Sequence, residues 1–201
     1  MADAKQYWYA LKVFFNKVFE WEERLSVEGF ETYLAVEKVR LKGEEHLRAA
    51  RRMAQEEGRG SRFLRDGAVI YERKPLVASL LFVKANLQDA LRIDKELQGS
   101  GFLYKKADRK ELSPIPDTQM ASFRLVTSSL ETGLTFFSDD SFTRFKQGAR
   151  VRVKEGPLKG AEGYIKRIRK DRRLLVSIEG VVAVATSYIP PRMLEIVPEI
   201  S

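Results

Sequence analysis

Gly148-Ala149-Arg150-Val151-Arg152-Val153-Lys154-Glu155-Gly156-Pro157-Leu158-Lys159-Gly160-Ala161-Glu162-Gly163 decides the reading of the C-terminal part of this chain. Val151 and Val153 alternate with Arg150, Arg152 and Lys154, so an extended segment here has one apolar and one basic face. Gly156-Pro157 makes a turn, and Gly160 and Gly163 permit backbone geometry or close approach that a Cβ would forbid. Further strand-like runs follow at Glu162–Arg169, Leu174–Ile178, Val181–Thr186 and Met193–Val197, separated by turn signals such as Glu179-Gly180 and Pro190-Pro191. Short strands this closely spaced predict a small all-β barrel over 144–201, one that closes its own edges.

Upstream, 131–143 is rich in Ser, Thr and Asp and reads as a linker, although Phe136, Phe137 and Phe142 are unusual for a solvated tether. The first 130 residues follow a different plan. Tyr7–Phe14 is aromatic and β-branched, hence a buried strand. Asn16 is placed to cap a helix with Val18, Trp21 and Leu25 on one face, and Gly29 to end it. Glu31–Leu41 reads as a second strand. Lys42–Arg73 is dense in charge, with a thin stripe of Leu47, Ala50 and Ala54 on a helix over 44–57, and reads as a solvated insertion centred on 42–70. Leu76–Ala85 is the most apolar run and predicts a central strand. Asn86 with Asp89 forms a capping signature for a helix carrying Leu87, Ala90, Ile93 and Leu97 inward. Phe102–Lys106 predicts a short strand, and Asp117 opens a helix with Met120, Phe123, Val126 and Leu130. This order predicts an α+β sandwich with a mainly antiparallel sheet.

Composition limits the chemistry. The 201 residues include no cysteine and one histidine, His46, which excludes disulfides and thiolate metal sites. Neither metal nor cofactor is expected. No run approaches the roughly 20 apolar residues that span a bilayer, and no signal-peptide core precedes Tyr7, so the expectation is a cytoplasmic monomer without membrane contact. The net charge of +8 is concentrated toward the C-terminus: residues 144–201 hold 13 Lys/Arg against 6 Asp/Glu. That asymmetry suggests two units with different partners, the basic one facing a polyanion. Walker, GxSxG, HExxH and dinucleotide signatures are all missing from the sequence, and the adjacent pairs Glu22-Glu23, Glu44-Glu45 and Glu56-Glu57 spread around a helix instead of meeting at one site. An enzyme is not expected.

Three stretches together resemble the NusG family and its specialised paralogs of the RfaH and UpxY type. Trp8-Tyr9 is similar to the opening of the family's NGN domain. Glu72-Arg73-Lys74-Pro75-Leu76 leading to Leu81-Phe82-Val83 resembles its basic turn and central strand. The glycine-rich segment quoted at the outset is similar to the KOW motif of an SH3-like barrel, whose motif residues here are Gly156, Pro157, Gly160 and Gly163. Two departures stand out: Val77-Ala78-Ser79-Leu80 replaces an aromatic-Pro-Gly-aromatic run, and the 42–70 insertion is long. Both point toward a specialised paralog.

The resemblance implies an NGN domain over 1–130 that docks on RNA polymerase and stabilises the elongating state by population shift, without bond chemistry. Carried onto this chain, it nominates Trp8, Tyr9, Val77 and Phe82 for the docking surface or its support, and Leu91, Arg92 and Ile93 for contact with the opposite lobe. Arg59, Arg62, Arg65, Arg73 and Lys74 are candidates for non-template DNA. The KOW barrel of relatives recruits Rho or a small-subunit ribosomal protein, and here Lys166, Arg167 and Arg169 form a basic hairpin suited to nascent RNA phosphates. The β-branched run Val181–Thr186 favours a permanent barrel over a helical alternative. The competing reading is a ribosome-associated or RNA-binding KOW-domain protein.

Overall fold

The computed structural model describes residues 5–55, 62–106, 110–129, 133–138, 148–168 and 171–198. Packing divides the chain into two units, Met1–Leu103 and Tyr104–Ser201. The division falls earlier than the boundary at 130 read from the sequence.

The first unit is built on a four-stranded antiparallel sheet in the order β2-β6-β1-β7. Its strands are β1 (Tyr7–Val13), β2 (Glu31–Tyr33), β6 (Leu80–Ala85) and β7 (Gly101–Leu103). Leu11 pairs with Leu81 on one side and Leu103 on the other, and all three side chains are fully buried. Helix α1 (Val18–Val27) buries Val18, Trp21 and Leu25, the predicted stripe. Its start differs from expectation. Phe15 and Asn16 both take left-handed φ, 58° and 57°, which carries the chain past Asn16 and leaves Lys17 at the cap position with no side-chain cap. Helix α3 (Leu87–Glu96) starts as predicted: Asn86 Oδ1 accepts from the Asp89 amide at 2.9 Å. Ala90, Ile93 and Leu97 are buried, whereas Leu87 is exposed.

Two expectations about residues 31–85 are corrected. Glu31–Leu41 is not one strand; it splits into β2 and β3 (Val36–Arg40), which enter different sheets. The predicted strand from Leu76 begins only at Leu80, because Ser79 adopts φ 63° and turns the chain. The charged insertion is likewise not a bare solvated excursion. β3, β4 (Phe63–Asp66) and β5 (Val69–Pro75) form an antiparallel sheet in the order β3-β5-β4, with helix α2 (Gly43–Gln55) connecting β3 toward β4. Leu41, Ala49 and Ile70 make a small buried cluster, with Ala50, Met53 and Phe63 packed on it. The buried stripe of α2 therefore runs through Ala49 and Met53, and Leu47 points to solvent.

The second unit contains helix α4 (Asp117–Ser128) and a six-stranded antiparallel sheet. Met120, Phe123 and Val126 are buried at the predicted helical spacing; Leu130 lies outside the described residues. The barrel strands are β9 (Arg150–Val153), β10 (Glu162–Ile168), β11 (Asp171–Ile178), β12 (Val182–Tyr188) and β13 (Leu194–Ile196). The order is β13-β9-β10-β11-β12, extended by β8 (Thr135–Ser138) on the outer side of β12. Part of the stretch read as linker is thus a strand. Val151 and Val153 are buried and Arg152 and Lys154 exposed, as alternation predicts. α4 packs on β10, β11 and β12. The whole is α+β: a sandwich-type unit with antiparallel sheets, then an SH3-like barrel. No helix of the described residues is long and apolar enough to cross a membrane.

Candidate functional site

In an antiparallel sheet directly opposed residues share a face and neighbours along a strand do not. Trp8 opposes Lys84, whose ammonium lies 5.9 Å from the indole centroid, and Ala10 opposes Phe82. Phe82 opposes Tyr33 across β2, with the rings 6.5 Å apart. Trp8, Phe82 and Tyr33 therefore share one face of the sheet. Tyr9 faces the other way with its partner Val83. Trp8, Tyr9 and Phe82 are each at most 3% exposed, so they support a surface more than they present one. Burial, with Tyr7 adding to it, raises the Tyr9 phenol above its ordinary pKa. Val77 sits half-buried in the turn before β6, its carbonyl accepting from the Leu80 amide at 3.4 Å.

On α3, Ile93 is fully buried and Leu91 is 47% exposed. Arg92 lies between them at the surface but is not idle. Its guanidinium donates to Glu28 at the end of α1 and to Glu96 one turn on, both at 2.9 Å, and lies over the Phe30 ring. Arg24 closes the network by donating to Glu28 and Glu96. Desolvation pushes the Glu28 carboxyl up, but the hydrogen bonds from Arg92 and Arg24 outweigh it and hold the pKa below the ordinary value. A charge already shared by two carboxylates has less to offer an incoming partner.

The basic stretch splits into two kinds of cation. Arg73 makes a two-pronged ion pair with Glu22 at 2.8 and 2.7 Å, and lies 5.3 Å from the Phe19 ring centroid; both charged side chains are only 12% exposed. That pairing ties β5 to α1 and withdraws Arg73 from solvent, so it does not serve as an open phosphate contact. Arg62 donates to Glu72 at 2.7 Å, with Lys74 3.7 Å from the same carboxylate. Arg65 is exposed and makes no ion pair among the described residues. In the barrel, Lys166 and Arg167 stand on β10 opposite Arg173 and Arg172 of β11, four cations on one hairpin. Arg59 and Arg169 lie outside the described residues.

The turn glycines of the barrel have structural reasons. Gly160 holds φ 93°, which L-residues avoid, and donates its amide to Val153 O at 2.8 Å. At Gly163 a Cβ would stand 2.3 Å from Leu175 O, so only glycine lets β10 lie against β11 there. Gly156 and Pro157 lie in the exposed turn between β9 and β10. Beside this turn, Glu162 accepts from Arg150 at 2.8 Å and Arg152 at 2.6 Å, while its amide donates to Ser122 Oγ of α4 at 3.0 Å. The Arg152 hydrogen bond, larger than the opposing desolvation, holds the Glu162 carboxyl below its ordinary pKa.

Sequence reasoning missed one group. Phe14, Phe15 and Phe102 are 38%, 74% and 42% exposed, with Phe14 about 6 Å from each of the other two rings. The Phe14 amide donates to Ser100 O at 2.7 Å and the Val13 amide to Ser79 O at 2.8 Å, fixing the strained turn that displays Phe15. The signal lay in Phe14-Phe15-Asn16, where apolar residues run on past the strand's alternation into a turn.

This arrangement defines an α+β unit followed by an all-β barrel. The family model described as transcription termination factor nusG matches residues 6–124, more than half of the chain, and the chain belongs to the NusG family. It is therefore a transcription factor of the NusG type, from a family that is not enzymatic. A solved structure described as "Domain interaction in Thermotoga maritima NusG" is similar at 17% identity, covering 96% of this chain and 98% of that chain with a TM-score of 0.40. Comparison with curated proteins gives no match.

Proposed function

We propose that this chain is a cytoplasmic transcription elongation and antitermination factor that binds RNA polymerase and stabilises its elongating state. The observation that carries the reading is the family match over residues 6–124. Residues 1–130 act as the polymerase-docking module, 131–143 connect, and 144–201 recruit. Trp8 and Phe82 form the support beneath the docking surface, with Tyr9 bracing the sheet from its other face and Val77 and Leu91 nearer to solvent. Arg92 and Ile93 belong to the helix directed at the opposite lobe. A closed cleft is favoured only to the extent that the factor binds it more tightly than the open one. Arg59, Arg62, Arg65 and Lys74 face the exposed non-template strand, and Lys166, Arg167 and Arg169 nascent RNA. Rho or a small-subunit ribosomal protein is the barrel's partner. The departures at 77–80 and the insertion support a paralog serving particular operons.

Co-migration of the purified protein with core polymerase held on a nucleic-acid scaffold tests this. A bound complex with reduced pausing in a run-off assay is expected; failure to co-migrate refutes it. The basic β10–β11 hairpin favours a second reading, an RNA-binding or ribosome-associated KOW protein. Binding to ribosomes or RNA with no affinity for polymerase would select that alternative.

A further inference from the structure

The outer edge of β12 carries the most informative unassigned feature of the molecule. The barrel's own strands run β13-β9-β10-β11-β12, and a sixth, β8, is seated on the free edge of β12 from the stretch that precedes it. The pairing is antiparallel: Ser138 with Val182, Phe137 with Ala183, Phe136 with Val184 and Thr135 with Ala185. Phe137 packs against Leu175, Ala183 and Ala185, with Ile168 beside it. Two small alanines are what make room for that ring. The edge thus offers two things together: a row of backbone groups awaiting a strand, and an apolar seat for an aromatic side chain.

β8 is a weak tenant of this site. It has four residues, of which Thr135, Phe136 and Phe137 are half-buried, and among the described residues it pairs with β12 alone. Strands this short sit at the low end of what sheets retain, and such elements open locally well before the domain unfolds. Its advantage is being on the same chain, which holds it at an effective concentration on the order of millimolar. A core strand needs no such help.

We propose that the β12 edge is a docking site for an extended peptide of a partner protein bearing an aromatic side chain, and that β8 is its built-in competitor. Main-chain pairing would supply affinity, and the Leu175/Ala183/Ala185 seat would select the aromatic residue. While β8 is seated the edge is also shielded from uncontrolled pairing between copies. The proposal rests on the reading of the barrel as a recruiting unit and names the chemistry of what it recruits.

The test uses the full chain and a fluorescent synthetic peptide of residues 133–138, Gly-Leu-Thr-Phe-Phe-Ser, against a scrambled peptide of the same composition. Wild-type protein should bind the probe weakly. Phe137→Asp, which empties the seat, should bind about tenfold more tightly, as expected when the competitor fills its site about nine-tenths of the time. The chain has no cysteine, so Ser138→Cys with Val182→Cys gives a single disulfide that locks β8 in place. The oxidised lock should lose the peptide and the reduced form regain it. Should circular dichroism show Phe137→Asp unfolded, the lock decides alone. Equal binding by the oxidised and reduced lock, equal binding of the scrambled peptide, or no gain in a folded Phe137→Asp overturns the proposal. A concentration-dependent dimer competed by the peptide also overturns it, assigning the edge to a second copy. None of these measurements contains polymerase, so loss of the polymerase-docking reading and loss of this one are separately visible.

Discussion

Residues 42–70 and residues 131–143 look alike in sequence, both polar stretches between apolar ones, and each contributes secondary structure among its described residues. They differ in what they rest on. The first has an interior made of its own and its neighbour's residues: Ala49 of α2 and Ile70 of β5 bury one another with the adjoining Leu41. Among its described residues the second contributes the strand Thr135–Ser138, whose Phe137 ring uses an interior that belongs to the barrel. A segment with its own core folds because its own residues leave water together. A segment that borrows one is stable only while the host edge stays open to it.

The largest expected effect tests the self-sufficient region. Ile70 is 1% exposed at the centre of its small cluster, so Ile70→Ala should destabilise the insertion by about 3 kcal/mol. Hydrogen exchange should show β4 and β5 losing protection while β10 and β11 keep theirs. Loss of protection in both units together would break the comparison.

Arg73→Ala should come next, at about 2 kcal/mol, because it removes the two-pronged partner of Glu22 in a partly buried place. Arg73→Lys keeps the charge but not the two-pronged geometry, and should recover only part of the loss in a thermal melt. If Ala and wild type melt together, the pair does not anchor β5 to α1.

A smaller effect lies in the barrel's own clamp. The Glu162 carboxyl is held below its ordinary pKa by Arg152 and then Arg150. Its contribution is therefore present above the usual carboxylate range and is lost as pH falls through the depressed folded value. Glu162→Gln should flatten that acid limb in a pH series of denaturant melts and leave the neutral region with a constant offset. An unchanged acid limb would remove the clamp from the account.

The smallest effect on global stability belongs to the borrowed strand. Phe137→Ala should lower it by less than about 1 kcal/mol, while amides of β8 lose whatever protection they had. A cost matching that of Ile70→Ala would mean that β8 is an integral barrel strand and that the two regions are alike after all.

Much of the fold was legible because it is written locally. Period-2 alternation at Val151 and Val153 located β9, and Asn86 with Asp89 located the start of α3. The candidate surface was less legible. Trp8 and Tyr9 fall on opposite faces of β1 by alternation alone, but that Trp8 shares its face with Lys84, and Tyr9 with Val83, depends on the register with β6. Phe15 was overlooked because a left-handed turn, not a periodic pattern, exposes it. Asn16 was misjudged for the same reason.

By itself the sequence determined the class of each part: helices where apolar residues recur every three to four positions, strands where they alternate, and turns where Gly156 and Gly160 stand. Those properties depend on neighbours within a few residues. Only the tertiary structure decided that Arg73 meets Glu22, 51 positions away, and that Thr135–Ser138 lies on β12 and is not a free tether. Such choices turn on which distant surfaces meet and exclude water together, and a chain read in order does not contain that information.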